Sequence, residues 1–188
     1  LSECAKAGNP DLVYEFCSTS KVSFAGGGIS ALVSSKANLE WIRKRLTIQT
    51  ISYDKINQYR HVLFFKDIDG IKAHMRKHAK FLRPKFDPVL EIFDKEINGT
   101  GAGSWTKPMG GYFISFETNE GCAKEVVAKC KEAGVVLTGA GAPFPYGKDP
   151  CDENLRIAPS YPSVEELKKA SEILCLCVKI ACAETYLK

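Results

Sequence analysis

The spacing of apolar residues between positions 69 and 98 predicts one long α-helix. Apolar or ring-bearing side chains recur there every three or four residues, which places them on a single helical face. They are Ile71, Met75, His78, Leu82, Val89, Ile92 and Phe93. Pro84 and Pro88 lie inside the stretch and mark the points where the helix could bend, because proline lacks the N–H that the helix uses. A helix of this length separates the chain into a part before it and a part after it.

Two short apolar runs precede this helix and predict a pair of strands. They comprise Leu12–Cys17 and Ile29–Ser34, and three consecutive glycines, residues 26–28, lie between them. The part before the long helix is therefore expected to contain both strands and helices. Further helices are predicted at residues 1–8, 36–47 and 53–60.

The part after residue 100 is predicted to form a compact unit of the α/β class. The elements expected are a strand at 112–116, a helix at 121–133, strands at 135–138 and 155–158, and a helix that starts at Ser163. Gly134 is typical of the residue that follows the end of a helix. Ser163 and Glu166 have the spacing of a capping box, which indicates the start of the last helix.

Charge and hydropathy exclude two classes of partner. The net charge of +4 is spread along the chain without the basic run that indicates nucleic-acid binding. No apolar run approaches the roughly 20 residues of a membrane span. We therefore expect neither nucleic acid nor a membrane as a partner. The first residue, Leu1, opens directly into a helical segment, so the sequence is expected to be an excerpt of a longer chain.

The cysteines indicate free thiols and a reducing compartment. No two of the eight form a Cys-x-x-Cys pair. Cys175, Cys177 and Cys182 lie in one helical run, and Cys177 is turned roughly 200° from Cys175, so one metal ion cannot bind all three. His74 and His78 are one helical turn apart but have no evident third ligand. We expect buried thiols, no metal site and a cytoplasmic location.

Lys21 has an unusual setting for a lysine. It follows an apolar run and the hydroxyl residues Ser18, Thr19 and Ser20, and it precedes the glycines. A lysine amine can form a Schiff base with an aldehyde cofactor that stabilises carbanions. Ser18 and Ser20 offer donors to a phosphate, and glycines allow backbone N–H groups to approach an anion. A solvated surface lysine is the alternative that this motif alone leaves open.

Arg156 is the second candidate site residue. It lies within Asn154–Pro159, between apolar neighbours on a predicted strand. A buried guanidinium needs a partner because an isolated charge is costly to bury, and a carboxylate is the natural bidentate partner. That carboxylate belongs either to an internal Asp or Glu or to a substrate.

Taken together, the motifs resemble those of the fold-type-I aminotransferases, which depend on pyridoxal 5'-phosphate. The resemblance covers essentially all 188 residues. The segments 48–58 and 144–147 are most similar to a bacterial aspartate-aminotransferase-like subgroup. The matching elements, in chain order, are Ser18–Lys21, the glycines after it, Gly110–Phe113, Val135–Gly141 and Asn154–Ile157.

The resemblance implies a role for each candidate residue. Lys21 would carry the cofactor and move the proton at the substrate Cα, with Ser18 and Ser20 near the cofactor phosphate. Arg156 would bind the α-carboxylate of the amino acid. Many relatives have an arginine soon after the lysine, whereas residues 22–35 contain no basic residue. Ser23 and backbone N–H groups are expected to compensate.

The resemblance also implies how the chain is organised. Residues 1–68 would finish the large cofactor-binding domain, and residues 69–188 would form most of the small domain. The chain would be the C-terminal half of a homodimeric enzyme, and its partner would include the N-terminal half of the same enzyme. The residue that pairs with the cofactor ring nitrogen would lie upstream, so this chain alone is expected to be inactive.

The activity implied is the transfer of an amino group from aspartate or glutamate to a 2-oxo acid such as 2-oxoglutarate. A lyase on the same fold would use the same lysine and arginine and stays an alternative. The ligand-sensing, aminotransferase-like domain of a transcription regulator is a second alternative.

Overall fold

The structure is a computed structural model that describes residues 1–187. The chain divides into two compact units, Leu1–His78 and Ala79–Lys188. Both contain helices and strands, in agreement with the predicted mixture of the two. Each unit has its own small antiparallel sheet.

The first unit confirms the two predicted strands and the helices around them. Strands β1 and β2 form an antiparallel ribbon in which Tyr14 lies opposite Ser34 and Ser18 lies opposite Ser30. The elements are α1 (Ser2–Lys6), β1 (Tyr14–Ser18), β2 (Ser30–Ser34), α2 (Lys36–Gln49), α3 (Lys55–Phe65) and the start of α4 (Ile68–Glu96).

Local side-chain caps fix the starts of α2 and α3. Ser35 accepts a hydrogen bond from the backbone N–H of Asn38, and Asp54 accepts one from that of Asn57. Each cap satisfies one of the N–H groups that a helix start leaves without a partner. The inner side of α3 carries rings, since His61 and Phe65 are both buried.

The long helix predicted for residues 69–98 is confirmed as α4, which continues through Pro84 and Pro88. Its second half buries Phe86, Val89 and Phe93. The two units meet in sequence at residues 78 and 79, inside this helix. The domain boundary expected after residue 68 would lie in the first turn of α4. This boundary stays a prediction.

The second unit consists of a three-stranded antiparallel sheet and helices. Its strand order is β3-β4-β5, and Arg156 of β5 lies opposite Ser115 of β4. The largest side chains of its core are fully buried and come from α4, the sheet and the two later helices. The elements after α4 are β3 (Gly103–Trp105), β4 (Ile114–Thr118), α5 (Ala123–Glu132), β5 (Asn154–Ile157) and α6 (Val164–Tyr186).

Two details of the strand prediction were wrong. Residues 135–138 were expected to form a strand, but they have no strand partner in the structure. Val135 and Leu137 pack against the core while Val136 stays exposed, so their alternation reflects burial without backbone pairing. Strand β3 was not predicted at all.

The predicted helix ends are confirmed. Gly134 follows α5, where its N–H donates to Lys131 O and the N–H of Val135 donates to Cys130 O. Ser163 and Glu166 form a complete capping box at the start of α6.

The cysteines of α6 are free and buried, as predicted. Cys175, Cys177 and Cys182 are all nearly inaccessible, so α6 is covered on the Cys177 side as well as the Cys175 side. Burial raises the pKa of Cys175 to about 12, which keeps this thiol protonated at neutral pH. Within residues 1–187, no helix is long and apolar enough to cross a membrane.

Candidate active site

Lys21 lies in the loop that joins β1 to β2, three positions after the last residue of β1. Its side chain is exposed, as are those of Ser18 and Ser20. The hydroxyl oxygens of the two serines are 2.7 Å apart, and the N–H of Ser20 donates to Ser18 Oγ. The loop therefore presents an amine and two adjacent hydroxyls, a set of groups suited to an aldehyde cofactor that carries a phosphate.

Gly28 allows the far end of this loop to lie against the serines. A Cβ at position 28 would be 2.6 Å from Ser20 Oγ and 2.9 Å from Ser20 Cα. Both distances are too short for a carbon atom, so any larger residue would displace Ser20. The glycine-rich sequence thus serves close packing beside the candidate phosphate site.

We call residues Thr19–Ser23 the Lys21 turn. The N–H groups of Val22 and Ser23 both donate to Thr19 O, at 2.9 and 2.8 Å. Thr19 is itself tied to β2, because its N–H donates to Ile29 O at 2.8 Å and its hydroxyl accepts from the N–H of Ile29 at 2.9 Å. The turn that carries Lys21 is therefore closed on itself and fastened to β2.

His61 of α3 contacts this turn, although we did not predict it as a site residue. Its Nε2 lies 2.8 Å from Ser23 Oγ and 3.3 Å from Thr19 Oγ1. One helical turn earlier, the Asn57 side chain donates to Gly27 O at 2.9 Å. A signal was present in the spacing of Asn57, His61 and Phe65, which repeats every four residues and defines one helical face.

Ser23 differs from its expected role. We expected it to help bind a phosphate in place of an arginine. In the structure its hydroxyl lies 3.1 Å from Thr19 O, 3.0 Å from Thr19 Oγ1 and 2.8 Å from His61 Nε2. A hydroxyl has a single proton, so while it donates to one of these neighbours it has none left for a phosphate. Ser18 and Ser20 stay the candidate phosphate ligands.

Arg156 lies in β5, and its guanidinium carbon is 4.6 Å from the centre of the Phe113 ring. Its Nε is buried and has no hydrogen-bond partner within residues 1–187. The sequence left open whether an internal or an external carboxylate pairs with this arginine. A buried donor without a partner favours an external one.

Asp149 fixes the start of β5 and therefore the backbone that leads to Arg156. Its carboxylate accepts the N–H groups of Glu153 and Asn154 at 2.9 and 2.8 Å, and that of Cys151 at 3.1 Å. Burial tends to raise the pKa of Asp149, but these N–H donors outweigh it and hold the pKa below its ordinary value.

A cavity of about 150 Å³ adjoins Arg156 within the second unit. The extended segment 135–138 and residues 156–159 form two of its walls, and α6 forms part of a third. Most of the lining residues are apolar, and Arg156 is the charged residue among them. Such a cavity suits the carboxylate end of a small molecule. Within residues 1–187, no cluster of three or more His, Cys, Asp or Glu could hold a metal ion.

Sequence comparison decides the family. A family model described as aspartate amino-transferase matches residues 1–188. The chain belongs to the aspartate amino-transferase family. An aspartate aminotransferase of Corynebacterium glutamicum is 46% identical over 180 residues, which are 96% of this chain and 42% of that relative. This family assignment agrees with the resemblance seen in the motifs.

Solved aminotransferase structures show the same fold. The crystal structure of an aspartate transaminase from Corynebacterium glutamicum matches with a TM-score of 0.91 and 46% identity, over 97% of this chain and 43% of that one. The α-aminoadipate aminotransferase LysN from Thermus thermophilus, complexed with N-(5'-phosphopyridoxyl)-L-leucine, matches with a TM-score of 0.75 at 21% identity, over 96% of this chain and 45% of that one. The predicted fold, the C-terminal part of an aminotransferase, is thereby confirmed. The chain spans a little under half the length of these relatives.

Proposed function

We propose that this chain contributes the lysine and the carboxylate-binding arginine to a pyridoxal-phosphate-dependent aminotransferase. The reaction would transfer an amino group from aspartate or glutamate to a 2-oxo acid such as 2-oxoglutarate. The observation that carries the proposal is the exposed Lys21 beside two adjacent serine hydroxyls, in a chain of this family. The name of the Corynebacterium glutamicum relative supports aspartate as the donor.

The residues of the Lys21 loop fit the cofactor in their chemistry. Pyridoxal phosphate supplies, when bound, an electron sink that stabilises a carbanion at the substrate Cα. The Lys21 amine would hold the cofactor through its aldehyde and would take up and return the Cα proton of the substrate. The hydroxyls of Ser18 and Ser20, which are adjacent to each other, would hold its phosphate.

Arg156 binds the α-carboxylate of the amino acid and later that of the 2-oxo acid. Its buried Nε has no partner within residues 1–187, so a carboxylate would satisfy a donor that is otherwise unpaired. Two parallel N–H···O bonds would fix the orientation of the carboxylate and so restrict that of the Cα–H bond. Phe113 supports the guanidinium from one side.

The resemblance also bears on the assembly and the location of the enzyme. We propose that the active enzyme is a cytoplasmic homodimer and that its site requires an N-terminal half in addition to these residues. The length of the relatives supports the second point, because the chain spans only 42% of the aspartate aminotransferase of Corynebacterium glutamicum. The 188-residue chain alone is therefore expected to lack activity.

Borohydride trapping tests the role of Lys21. The full-length protein, incubated with pyridoxal phosphate and reduced, should carry a pyridoxyl group on Lys21 when its peptides are mapped by mass spectrometry. Lys21→Ala should remove the label and lower the turnover of aspartate by about 10³-fold or more, because the proton carrier is lost. Lys36→Ala, another exposed lysine of the same unit, is the control. A label that persists in Lys21→Ala would refute the assignment.

The half-reactions separate this function from its alternatives. An aminotransferase should convert bound cofactor to its amino form with L-aspartate or L-glutamate and recover it with 2-oxoglutarate. Release of ammonia would indicate a lyase, and binding without turnover would indicate a ligand sensor. Arg156→Gln should lower kcat/KM for both amino acid and 2-oxo acid, since both carry the same carboxylate.

A further inference from the structure

His61 is a buried, ionisable residue of the first unit that the proposed mechanism does not use. Only 4% of its surface is exposed. The ring is held by packing, since the centroids of Phe24 and Phe65 lie 5.2 and 5.8 Å from its own. A polar ring enclosed in this way needs hydrogen-bond partners for both nitrogens.

The partners of the two nitrogens differ in kind. Nδ1 lies 2.9 Å from Asn57 O, and a carbonyl oxygen can only accept, so Nδ1 carries the proton. In a neutral ring Nε2 is then an acceptor and needs a donor. The Ser23 hydroxyl, at 2.8 Å, is the shorter of the two contacts available to it. His61 therefore fixes the orientation of the Ser23 side chain.

Ser23 in turn is the last residue of the Lys21 turn. Its backbone N–H donates to Thr19 O at 2.8 Å, and its hydroxyl oxygen lies 3.0 Å from Thr19 Oγ1, so the hydroxyl can accept from Thr19 while it donates to His61. The residues between these two ends are Ser20, Lys21 and Val22. The Ser23 side chain thus joins His61 to the turn that carries the lysine.

The same helix holds the loop at a second point. Asn57, one turn before His61, donates to Gly27 O, and the next residue, Gly28, packs against Ser20. Helix α3 therefore contacts both the start and the end of the loop. Ser20 and Lys21 lie on the turn that the first contact holds, and the second contact holds the segment whose Gly28 packs against Ser20.

We infer that His61 is a positioning residue for the cofactor site, acting through Ser23 and Thr19 on the Lys21 turn. This inference rests on the proposed function and deepens it. His61 holds the lysine and the two serine hydroxyls in one arrangement before the cofactor arrives. Its loss should weaken cofactor binding and the reaction at Lys21 without affecting the arginine that binds the substrate.

The test measures cofactor affinity and trapping in the full-length protein. His61→Phe retains a ring between Phe24 and Phe65 but removes both nitrogens. We expect its Kd for pyridoxal phosphate to rise roughly tenfold, the size of one hydrogen bond to a buried hydroxyl. Borohydride trapping at Lys21 should slow, and kcat should fall while KM for aspartate stays near that of wild type. His61→Gln, which restores a polar group near Nε2, should recover most of the affinity.

A double-mutant cycle separates positioning from a general loss of packing. If His61 acts through Ser23, the combined His61→Phe and Ser23→Ala variant should bind the cofactor about as well as either single variant. Additive losses in affinity would overturn the inference. Ser23→Ala leaves the ring in place, so it decides the matter even if His61→Phe does not fold, and wild-type affinity in Ser23→Ala would overturn the inference as well. His78→Phe is the control histidine of the same unit.

The outcomes distinguish this inference from the proposed function. A wild-type protein without label at Lys21 would overturn both. A labelled wild-type protein whose His61→Phe variant binds pyridoxal phosphate normally would overturn the positioning role alone. A labelled wild-type protein with weakened, non-additive variants supports both.

Discussion

The two units of the chain bury their apolar residues to different extents. In residues 79–187, twenty apolar side chains form one buried cluster that includes Phe93, Phe116 and Leu155. In residues 1–78, Phe65 is the one buried apolar side chain. The other two buried residues there, Ser34 and His61, are polar. Every residue of strand β1 is exposed, and 77% of the Phe16 surface is accessible.

The second unit therefore has a hydrophobic core of its own, whereas the first unit leaves most of its apolar side chains exposed. A two-stranded ribbon is marginally stable unless another element covers it. The second unit has the core that a small domain requires, whereas the first unit carries the candidate cofactor-site residues on an open ribbon. This contrast supports the proposal that an N-terminal half completes the first unit.

Two phenylalanine substitutions, one in each unit, should show the largest difference in the free energy of unfolding. Phe93 is fully buried and its ring packs edge-on against those of Trp105 and Phe116, so Phe93→Ala should lower the free energy of unfolding by about 3–5 kcal/mol. Phe16→Ala in the same 188-residue chain should change it by about 0.5 kcal/mol or less. Urea unfolding followed by circular dichroism measures both.

The same pair in the full-length protein sharpens the comparison. Phe16→Ala should be several times more destabilising there, because we expect further residues to cover the ribbon. Phe93→Ala should have the same effect in both settings. Equal effects of Phe16→Ala in the two settings would count against an N-terminal half that covers β1.

Helix caps offer a second comparison with a smaller expected effect. Ser163→Ala removes the capping box of α6 and should lower the free energy of unfolding by about 1 kcal/mol. Ser35→Ala removes the matching cap of α2, but this helix buries none of its own residues. Its loss should appear as faster amide exchange in α2 with little change in global stability. If Ser35→Ala lowered the free energy of unfolding as much as Ser163→Ala does, the proposed difference between the two units would be wrong.

A surface ion pair should give the smallest effect and a defined pH dependence. The hydrogen bond from Lys179 is the largest cause that lowers the pKa of Glu96 below its ordinary value of 4.5, and Lys95 adds to it. A lowered folded-state pKa means that the pair stabilises the fold above about pH 4.5 and that this contribution is lost as the pH falls through the folded value.

Lys179→Met should therefore lower the urea midpoint at pH 7 and have a smaller effect at pH 3. Lys168→Met, at an exposed position of the same helix, should leave the midpoint unchanged at both values of pH. A difference between wild type and Lys179→Met that grows toward low pH would have the wrong sign for this pair.

The elements with strong periodicity were predictable from the sequence. Helix α4 was found because its apolar side recurs over about eight turns, and α6 because Ser163 and Glu166 define its start. Strand β3 was missed because it spans three residues and begins with glycine. Residues 135–138 were assigned wrongly because alternation reports which side chains are buried, and it cannot show whether a backbone partner exists.

The residues that carry the chemistry of the candidate site were predictable from the sequence, but the residues that hold them in place were not. Lys21, Ser18, Ser20 and Arg156 stand in recognisable motifs, and their roles stay predictions. His61 carries no motif, and its contact with Ser23 joins positions 38 apart in sequence. Such long-range contacts depend on how α3 packs, which local spacing does not specify.

The open ribbon also affects how the chain behaves in concentrated solution. Strands β1 and β2 pair only with each other within residues 1–187, so each leaves an edge of N–H and C=O groups able to pair with another molecule. Cys17 lies exposed on β1, which places an oxidisable thiol beside that edge. Without a reductant, the isolated chain should form disulfide-linked dimers that seed larger aggregates, and Cys17→Ser should suppress the covalent step while the edge pairing persists.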